Sequence, residues 1–199
     1  DLLEWSPAAA RFDLITCSGT YPWVPDSVRE RILEIIARTL ADDGFAVLHV
    51  LSLPACLGLS EAQRQLLDAV GDVHPMSARL QEAKRFVPRL APSDAPAAPE
   101  LPMVGIVRTL LRKFVERNDA GAAHEFLGSP VRADYFRDFE AQVKRHGLNV
   151  VSDANPTMLC DALIPHGPMR DLYERTRSWS ARQEILDMFA GIGGGRDVI

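Results

Sequence analysis

The sequence predicts an α/β fold that begins with a parallel strand–helix–strand unit and continues as a mainly helical second half. Two short apolar runs, Phe12–Ile15 and Phe45–Leu51, are separated by an amphipathic helical pattern. Apolar runs that are too short for a core helix and are bounded by turn residues are typical of buried strands. A helix that connects two such strands makes them parallel neighbours.

The first predicted strand leads into a loop that is rich in aromatic residues. The apolar run ends at Cys17–Gly19, and Ser18–Pro25 reads SGTYPWVP. Ligands of open α/β sheets bind beyond the carboxyl ends of the strands, which is where this loop lies. Tyr21 and Trp23 offer stiff, flat surfaces that suit the wall of a ligand site. The alternative is that both rings only cover the core above the sheet.

The helix and second strand of the unit are marked by their ends. Pro25 and Asp26 precede the helix, and Ser27 and Glu30 have the spacing of a capping box. Asp43 and Gly44 are expected to end the helix before the strand Phe45–Leu51. The apolar face of the helix consists of Val28, Ile32, Ile35, Ile36 and Leu40.

A proline-rich segment divides the rest of the chain. Residues 88–102 contain five prolines and are expected to form an extended connector between a domain at 1–87 and a domain at 103–199. Ser60 and Gln63 have capping-box spacing at the start of a helix in the first part. The remaining predicted elements are helices at 77–87, 104–117, 134–145 and 180–189 and a short strand at 148–151.

Composition excludes several classes of protein. The 199 residues carry a net charge of −5 and show no basic stripe, which argues against binding to nucleic acid. No apolar run is long enough to span a membrane. The cysteines Cys17, Cys56 and Cys160 are too few and too scattered for a disulfide framework or a zinc site, so we expect no metal and a cytoplasmic protein.

Two segments of the sequence resemble one known family. The residues from Phe12 to Val50 read FDLITCSGTYPWVPDSVRERILEIIARTLADDGFAVLHV. They resemble the fourth strand, loop, helix and fifth strand of class I S-adenosylmethionine-dependent methyltransferases, in particular the family that carries a methyltransferase regulatory domain and includes bacterial protein lysine methyltransferases. The loop of that family reads approximately HGVYSWVP, so Ser18 stands in place of its usual histidine. HEFL at 124–127 and YFRDFEAQVKRHGLNVVSDA at 135–154 resemble the regulatory domain.

The resemblance implies a fold, a cofactor and a set of site residues. The expected fold is a partial Rossmann-like methyltransferase core at 1–87 followed by a mainly helical regulatory domain at 103–199. The implied cofactor is S-adenosylmethionine. Asp1 would accept a hydrogen bond from the adenine amino group and Leu2 would lie against the ring; the alternative for Asp1 is a charged residue at a chain terminus. The remaining predicted cofactor contacts are Cys17, Ser18 and Gly19.

Methyl transfer from a sulfonium is an in-line displacement, so the protein chiefly positions the two reactants. A lysine acceptor needs a narrow slot, and Tyr21 and Trp23 could form it because a ring face stabilises the positive charge that grows on nitrogen. The methyl acceptor predicted from the resemblance is a protein lysine, and small-molecule acceptors remain open. His49 and the neighbours His124 and Glu125 are expected to have structural roles.

The glycine-rich turn that opens such a core does not precede Phe12 in this sequence. We therefore expect a fragment that needs the N-terminal half of the core as a partner and by itself binds S-adenosylmethionine weakly or not at all. A non-catalytic protein-binding module is the main alternative.

A third interpretation depends on one segment. Glu184–Gly195 reads EILDMFAGIGGG and imitates a strand followed by a glycine-rich cofactor turn, as in a permuted nucleic-acid methyltransferase. Against this, Ser180 and Gln183 have capping-box spacing and the apolar residues share one helical face. We expect a helix that the glycine run ends.

Overall fold

A computed structural model describes residues 1–6, 10–91, 101–155, 164, 166–188 and 195–198. The chain divides into two compact units. The first unit combines Asp1–Cys56 with Arg132–Ile199, and the second unit is Leu57–Val131. Along the chain, the boundaries between the compact units fall at residues 56/57 and 131/132. Most of the proline-rich segment that the sequence predicts as a connector lies outside the described residues.

The elements of the first unit come from both ends of the sequence. In chain order they are β1 (Phe12–Cys17), a 3-10 turn (Tyr21–Trp23), α1 (Asp26–Thr39), β2 (Leu40–Leu53), β3 (Asp134–Tyr135), α6 (Phe136–Arg145), α7 (Pro168–Arg175), α8 (Trp179–Asp187) and β4 (Gly195–Val198). The second unit contains α2 (Leu57–Val70), α3 (Met76–Leu90), α4 (Pro102–Glu116) and α5 (Asp119–Ala122), followed by a π-helical turn (Ala123–Leu127).

The sheet is organised around β2. β1 is parallel to β2, with Leu14 opposite Phe45 and Cys17 opposite Leu48, which confirms the predicted strand–helix–strand unit. The short β3 is also parallel and pairs Ser52 with Asp134, whereas β4 is antiparallel. The α/β fold class with a parallel sheet is therefore confirmed.

The predicted boundary between helix and strand is wrong. α1 ends at Thr39, and Asp43 and Gly44 lie inside β2. The register between β1 and β2 shifts here, from Phe12 opposite Leu40 to Leu14 opposite Phe45, so the additional residues form an irregularity in the strand. Gly44 fits because a β-carbon would lie 2.9 Å from the carbonyl oxygen of Phe12.

One face of the sheet is covered by helices. Alternate strand residues such as Ile15, Cys17 and Leu48 point into a core that α1 and α6 complete. On the opposite face Leu14 and Phe45 are 61% and 53% exposed. The buried members of the core are Tyr21, Ile32, Leu33, Ile36, Leu48, Val50, Phe136, Phe139, Val143 and Val198.

The second unit packs helices from both sides of the proline-rich segment. α2 and α4 lie close together: a β-carbon on Gly58 would come 2.4 Å from Cγ2 of Ile106. Gln63 does not cap its helix but is buried. Its amide nitrogen donates to the carbonyl oxygens of Glu125 and Ser129, at 3.3 and 3.0 Å, and its side-chain oxygen accepts from the backbone nitrogen of Val131 at 2.6 Å.

Two predictions for the end of the chain are corrected. Residues 148–151 do not form a strand; the segment only approaches the sheet at Asp153, which bridges to Val198. The strand of the third interpretation of Glu184–Gly195 is wrong, and the predicted helix is confirmed, because Trp179–Asp187 is the helix α8. Ser178, rather than Ser180, caps α8 by accepting from the backbone nitrogen of Ala181 at 3.4 Å. Phe189 and the glycines at 191, 193 and 194 lie outside the described residues.

Within the ranges that the structure describes, no helix is both long enough and apolar enough to cross a lipid bilayer.

Candidate functional site

The carboxyl ends of β1 and β2 lie at the same edge of the sheet because the two strands are parallel. The loop Ser18–Pro25, which we call the aromatic loop, leaves β1 at this edge. Gly19 has a φ of +66° and open space around its α-carbon, so the chain turns here in a conformation that favours glycine. Ser18 and Gly19 are exposed. Backbone atoms at this turn are therefore accessible to a ligand.

Tyr21 lies in the core of the first unit and has no exposed surface. Its ring meets Phe139 edge-on, with 6.0 Å between ring centroids, and its hydroxyl donates to Oε1 of Gln142 at 3.1 Å. Burial raises the pKa of the phenol to about 12, so it stays protonated. This is the arrangement that the core-covering alternative predicts, and a ring without exposed surface offers no wall to a ligand.

Trp23 differs from Tyr21 because it is only partly buried. It closes the short 3-10 turn, where its backbone nitrogen donates to the carbonyl oxygen of Thr20 at 3.0 Å. Cys17, the last residue of β1, is also partly buried, and burial raises the pKa of its thiol. A protonated thiol is a poor nucleophile, so Cys17 is suited to contact rather than to covalent chemistry.

Charged residues from distant parts of the sequence hold the aromatic loop. The guanidinium of Arg29 lies 4.4 Å from the centroid of the Tyr21 ring and pairs with the Asp134 carboxylate. Arg132 donates through Nε to Asp26 at 2.9 Å, and its backbone nitrogen donates to the carbonyl oxygen of Pro22 at 2.8 Å. The segment that leads into β3 is thus attached to the start of α1.

A second polar network connects α1 with α6. Gln142 donates to Oε1 of Glu30 at 2.9 Å, and Nε2 of His146 lies 2.6 Å from Oε2 of Glu30. The hydrogen bond from His146 is the main cause that lowers the pKa of Glu30. Because Gln142 also accepts from Tyr21, the network extends from the buried phenol to the end of α6.

A cluster of buried charged side chains surrounds Arg196 on β4. Arg196 on β4 has its Nε 2.7 Å from Oδ1 of Asp187 and 3.7 Å from Oδ2 of Asp153, and its Nη1 donates to Oε1 of Gln183 at 3.0 Å. All three charged side chains are almost completely buried. Burial raises the pKa of Asp187 to about 6, which the nearby arginine only partly offsets. This cluster is closed to solvent and supports the fold.

Asp1 and Leu2 belong to a turn at the start of the chain. The Asp1 carboxylate accepts from the backbone nitrogen of Leu3 at 3.0 Å, and Leu2 is partly exposed. Arg31 on α1 attaches the turn by donating to the carbonyl oxygen of Trp5 at 2.7 Å. These contacts attach the turn to α1.

The histidines considered in the sequence have structural neighbours. Nδ1 of His49 lies 3.1 Å from Oδ1 of Asp197 across the β2–β4 pair. Glu125, beside His124, pairs with Arg117. In the part of the chain that the structure describes, no group of three or more histidine, cysteine or acidic side chains is placed to hold a metal ion.

Sequence reasoning missed the residues that hold the aromatic loop. Arg29 and Asp134 are 105 positions apart, so no local pattern joins them. One signal was present: Arg29 precedes Ile32 and Leu33 by three and four residues, which places a charge on the apolar face of α1. A buried charge needs a partner, and this position could have been identified as one that requires an acidic neighbour.

The chain is similar to known proteins at low sequence identity. No family model matches the chain. Two uncharacterized proteins of Rickettsia prowazekii (strain Madrid E) are similar to it: RP789 is 22% identical over 145 residues, which are 73% of this chain and 26% of RP789, and RP028 is 23% identical over 138 residues, 69% of this chain and 54% of RP028. The chain thus spans about a quarter to a half of these relatives.

Solved structures match over the whole chain. PKMT2 from Rickettsia typhi has a TM-score of 0.71 at 19% identity, and its structure in complex with AdoHcy has a TM-score of 0.73 at 20% identity. The match covers 100% of this chain and 36% and 37% of the two PKMT2 chains. At this level of identity the likeness establishes the fold: the chain shares its architecture with about a third of PKMT2.

Proposed function

We propose that this chain is part of an S-adenosylmethionine-dependent methyltransferase that transfers a methyl group to a protein lysine or another nucleophilic acceptor. The observation that carries the proposal is the parallel β1–α1–β2 unit with an aromatic loop at its carboxyl edge, in a chain whose whole length matches about a third of PKMT2. PKMT2 has been solved in complex with AdoHcy, which is what S-adenosylmethionine becomes when it gives up its methyl group. The likeness in fold supports methyl transfer as the type of reaction, and the resemblance of the sequence supports protein lysine as the acceptor.

The residues at this edge fit one side of a cofactor site. The exposed turn at Ser18 and Gly19 gives a ligand close access to the backbone, and the partly buried Cys17 adds an apolar contact. S-adenosylmethionine, when bound, supplies the methyl group on a sulfonium. Trp23 is the residue of the aromatic loop that we assign to the acceptor, because its ring is partly exposed and a ring face stabilises a developing ammonium.

Positioning is the role that the described residues can fill. Three acidic side chains that follow the aromatic loop on α1 or lie at β3, Asp26, Glu30 and Asp134, are each paired with an arginine or a histidine. The hydrogen bond from His146 lowers the pKa of Glu30, so this carboxylate is a weak base. The edge is therefore built to orient an acceptor that arrives as a neutral nucleophile.

The rest of the methyltransferase core has a surface on which to pack. Among the described residues β1 pairs only with β2, so its outer edge presents free backbone groups, and Leu14 and Phe45 are exposed on the uncovered face. We propose that the part of the core with the glycine-rich cofactor turn covers this edge and face. Leu14→Lys should weaken that association, whereas Leu172→Lys, at an exposed leucine on α7, should not.

The proposed function is tested by methyl transfer in the intact protein. Radiolabelled S-adenosylmethionine is incubated with lysine-containing peptides and with the same peptides after chemical dimethylation of lysine. Trp23→Ala should reduce transfer by about tenfold or more, as expected when an acceptor is misplaced. Trp179→Ala is the matched control because Trp179 is also partly buried but packs on Phe136 in α6. Equal transfer by both variants would remove Trp23 from the site, and no transfer by the wild type to any acceptor would contradict the proposal.

A non-catalytic protein-binding role is the second candidate. In the second unit, a groove of about 460 Å³ runs between α2 and α4 and is lined by apolar residues such as Leu57, Val104 and Leu111. Calorimetry separates the two candidates. The intact protein should bind S-adenosylmethionine if it is an enzyme and should release no binding heat if it is only a docking module.

A further inference from the structure

The aromatic loop is fastened at both of its sides by four charged residues. Asp26 and Arg29 lie in the first turn of α1, and Arg132 and Asp134 lie in the segment that becomes β3. We call these four residues the loop clasp. All four belong to the first unit, although the two residues on α1 are about a hundred positions from the other two in the sequence.

Arg29 is the centre of the loop clasp. Only 3% of this residue is exposed. Its guanidinium faces the Tyr21 ring at 4.4 Å, pairs with Asp134, and has Nη1 3.7 Å from Oδ1 of Asp26. A buried cation with two carboxylates and an aromatic face around it is well compensated, so loss of one partner is costly.

The loop clasp connects the ends of the two parallel strands. Asp134 lies opposite Ser52 near the carboxyl end of β2. Arg132 reaches the aromatic loop through its bond to the carbonyl oxygen of Pro22. The loop that leaves β1 is therefore attached, through Arg29 and Arg132, to the strand that flanks the end of β2.

We propose that Arg29 is a positioning residue that fixes the aromatic loop, and with it Trp23, at the carboxyl edge of the sheet. Its consequence for catalysis rests on the proposed function, but the positioning of the loop does not. Tyr21 transmits the constraint, because Arg29 holds its ring on one side while Phe139 and Gln142 hold the ring and the hydroxyl from α6. Trp23 is two residues from this fixed point and is held by a short 3-10 turn.

Hydrogen exchange in the intact protein tests the positioning directly. Arg29→Met removes the guanidinium, and Asp134→Asn removes its partner's charge with little change in size and serves if Arg29→Met does not fold. Arg38→Met is the matched control, since Arg38 lies on the same helix but is exposed and pairs with Glu34 at 3.5 Å. Peptides that cover residues 18–25 should exchange about tenfold faster in the clasp variants, while β2 peptides and the control are unchanged.

Two exchange results would overturn the proposal. Unchanged exchange at residues 18–25 in Asp134→Asn would show that the loop is held by other contacts. Equal acceleration in the loop and in β2 would show that Arg29 supports the whole sheet rather than the loop.

Kinetics in the intact protein test the catalytic consequence. The clasp variants should raise the acceptor KM by about tenfold, because Trp23 loses its fixed place. Arg29→Lys, which keeps the charge, should restore part of the loss. Unchanged acceptor KM beside a loosened loop would overturn the catalytic consequence. If the wild type transfers no methyl group, the proposed function fails, and the exchange experiment still decides whether the loop clasp exists.

Discussion

Replacing Asp187 with asparagine should make the stability of the first unit less dependent on pH. Asp187 is buried beside Arg196, and burial raises its pKa from 3.8 to about 6. The folded state therefore holds a proton on this carboxyl at pH values where the unfolded state has lost it. The stability contributed by this proton is present at low pH and is lost as pH rises through about 6.

The magnitude follows from these two pKa values. At pH 5 the folded carboxyl is mostly protonated and the unfolded one mostly ionised, and at pH 8 both are ionised. Linkage then gives a loss of about 1.4 kcal/mol of unfolding free energy between pH 5 and pH 8 from this group. Asp153, whose pKa burial also raises, contributes in the same direction in both proteins.

Urea unfolding of the wild type and Asp187→Asn, followed by tryptophan fluorescence at pH 5 and pH 8, measures this difference. On going from pH 5 to pH 8, the unfolding free energy of Asp187→Asn relative to that of the wild type should rise by about 1.4 kcal/mol. Asp197→Asn is the matched control because Asp197 is exposed on β4 beside His49. A shift of opposite sign would mean that Asp187 folds as the ionised partner of Arg196 and that the ion pair outweighs burial.

Two further predictions concern the framework. Gln63→Leu should destabilise the second unit by about 3 kcal/mol, because it leaves the backbone nitrogen of Val131 and the carbonyl oxygens of Glu125 and Ser129 without their partner. Gln65→Leu on the same helix is the control in a urea titration, since Gln65 is only partly buried and its amide donates to the side chain of Glu61. Gly44→Ala should lower stability by about 1–2 kcal/mol in thermal unfolding, since the new β-carbon would lie 2.9 Å from the carbonyl oxygen of Phe12, and an unchanged Tm would show that the irregularity in β2 relaxes freely.

The spacing of apolar residues predicted those helices and strands in which buried positions recur at regular intervals. α1 and the parallel pair β1–β2 follow the spacing of apolar residues, and the structure confirms them. β4 was missed because an inward strand position is filled by Arg196 rather than by an apolar residue. A buried strand is recognised in a sequence by its apolar residues. That signal is absent when charged side chains, rather than apolar ones, fill the inward positions of the strand.

Only the local part of the candidate site could be predicted from the sequence. The order of strand and loop placed Cys17–Gly19 and Trp23 at the carboxyl edge without any knowledge of the rest of the chain. Whether a loop aromatic points into the core or toward solvent depends on what packs beneath it. Tyr21 is buried because Phe139 and Gln142 of α6 lie under it, and no local pattern shows which distant helix supplies that contact.

The packing of α6 changes how the second half of the sequence relates to the site. The helix resembles part of a regulatory domain, yet Phe136, Phe139 and Val143 lie in the same core as Leu33 and Leu48. The other segment with that resemblance, HEFL at 124–127, belongs to the second unit. The resembling residues are thus shared between two compact units, and those in the first unit support the aromatic loop directly. A displacement of α6 would therefore act on Tyr21 through the Gln142 hydrogen bond, within one compact unit.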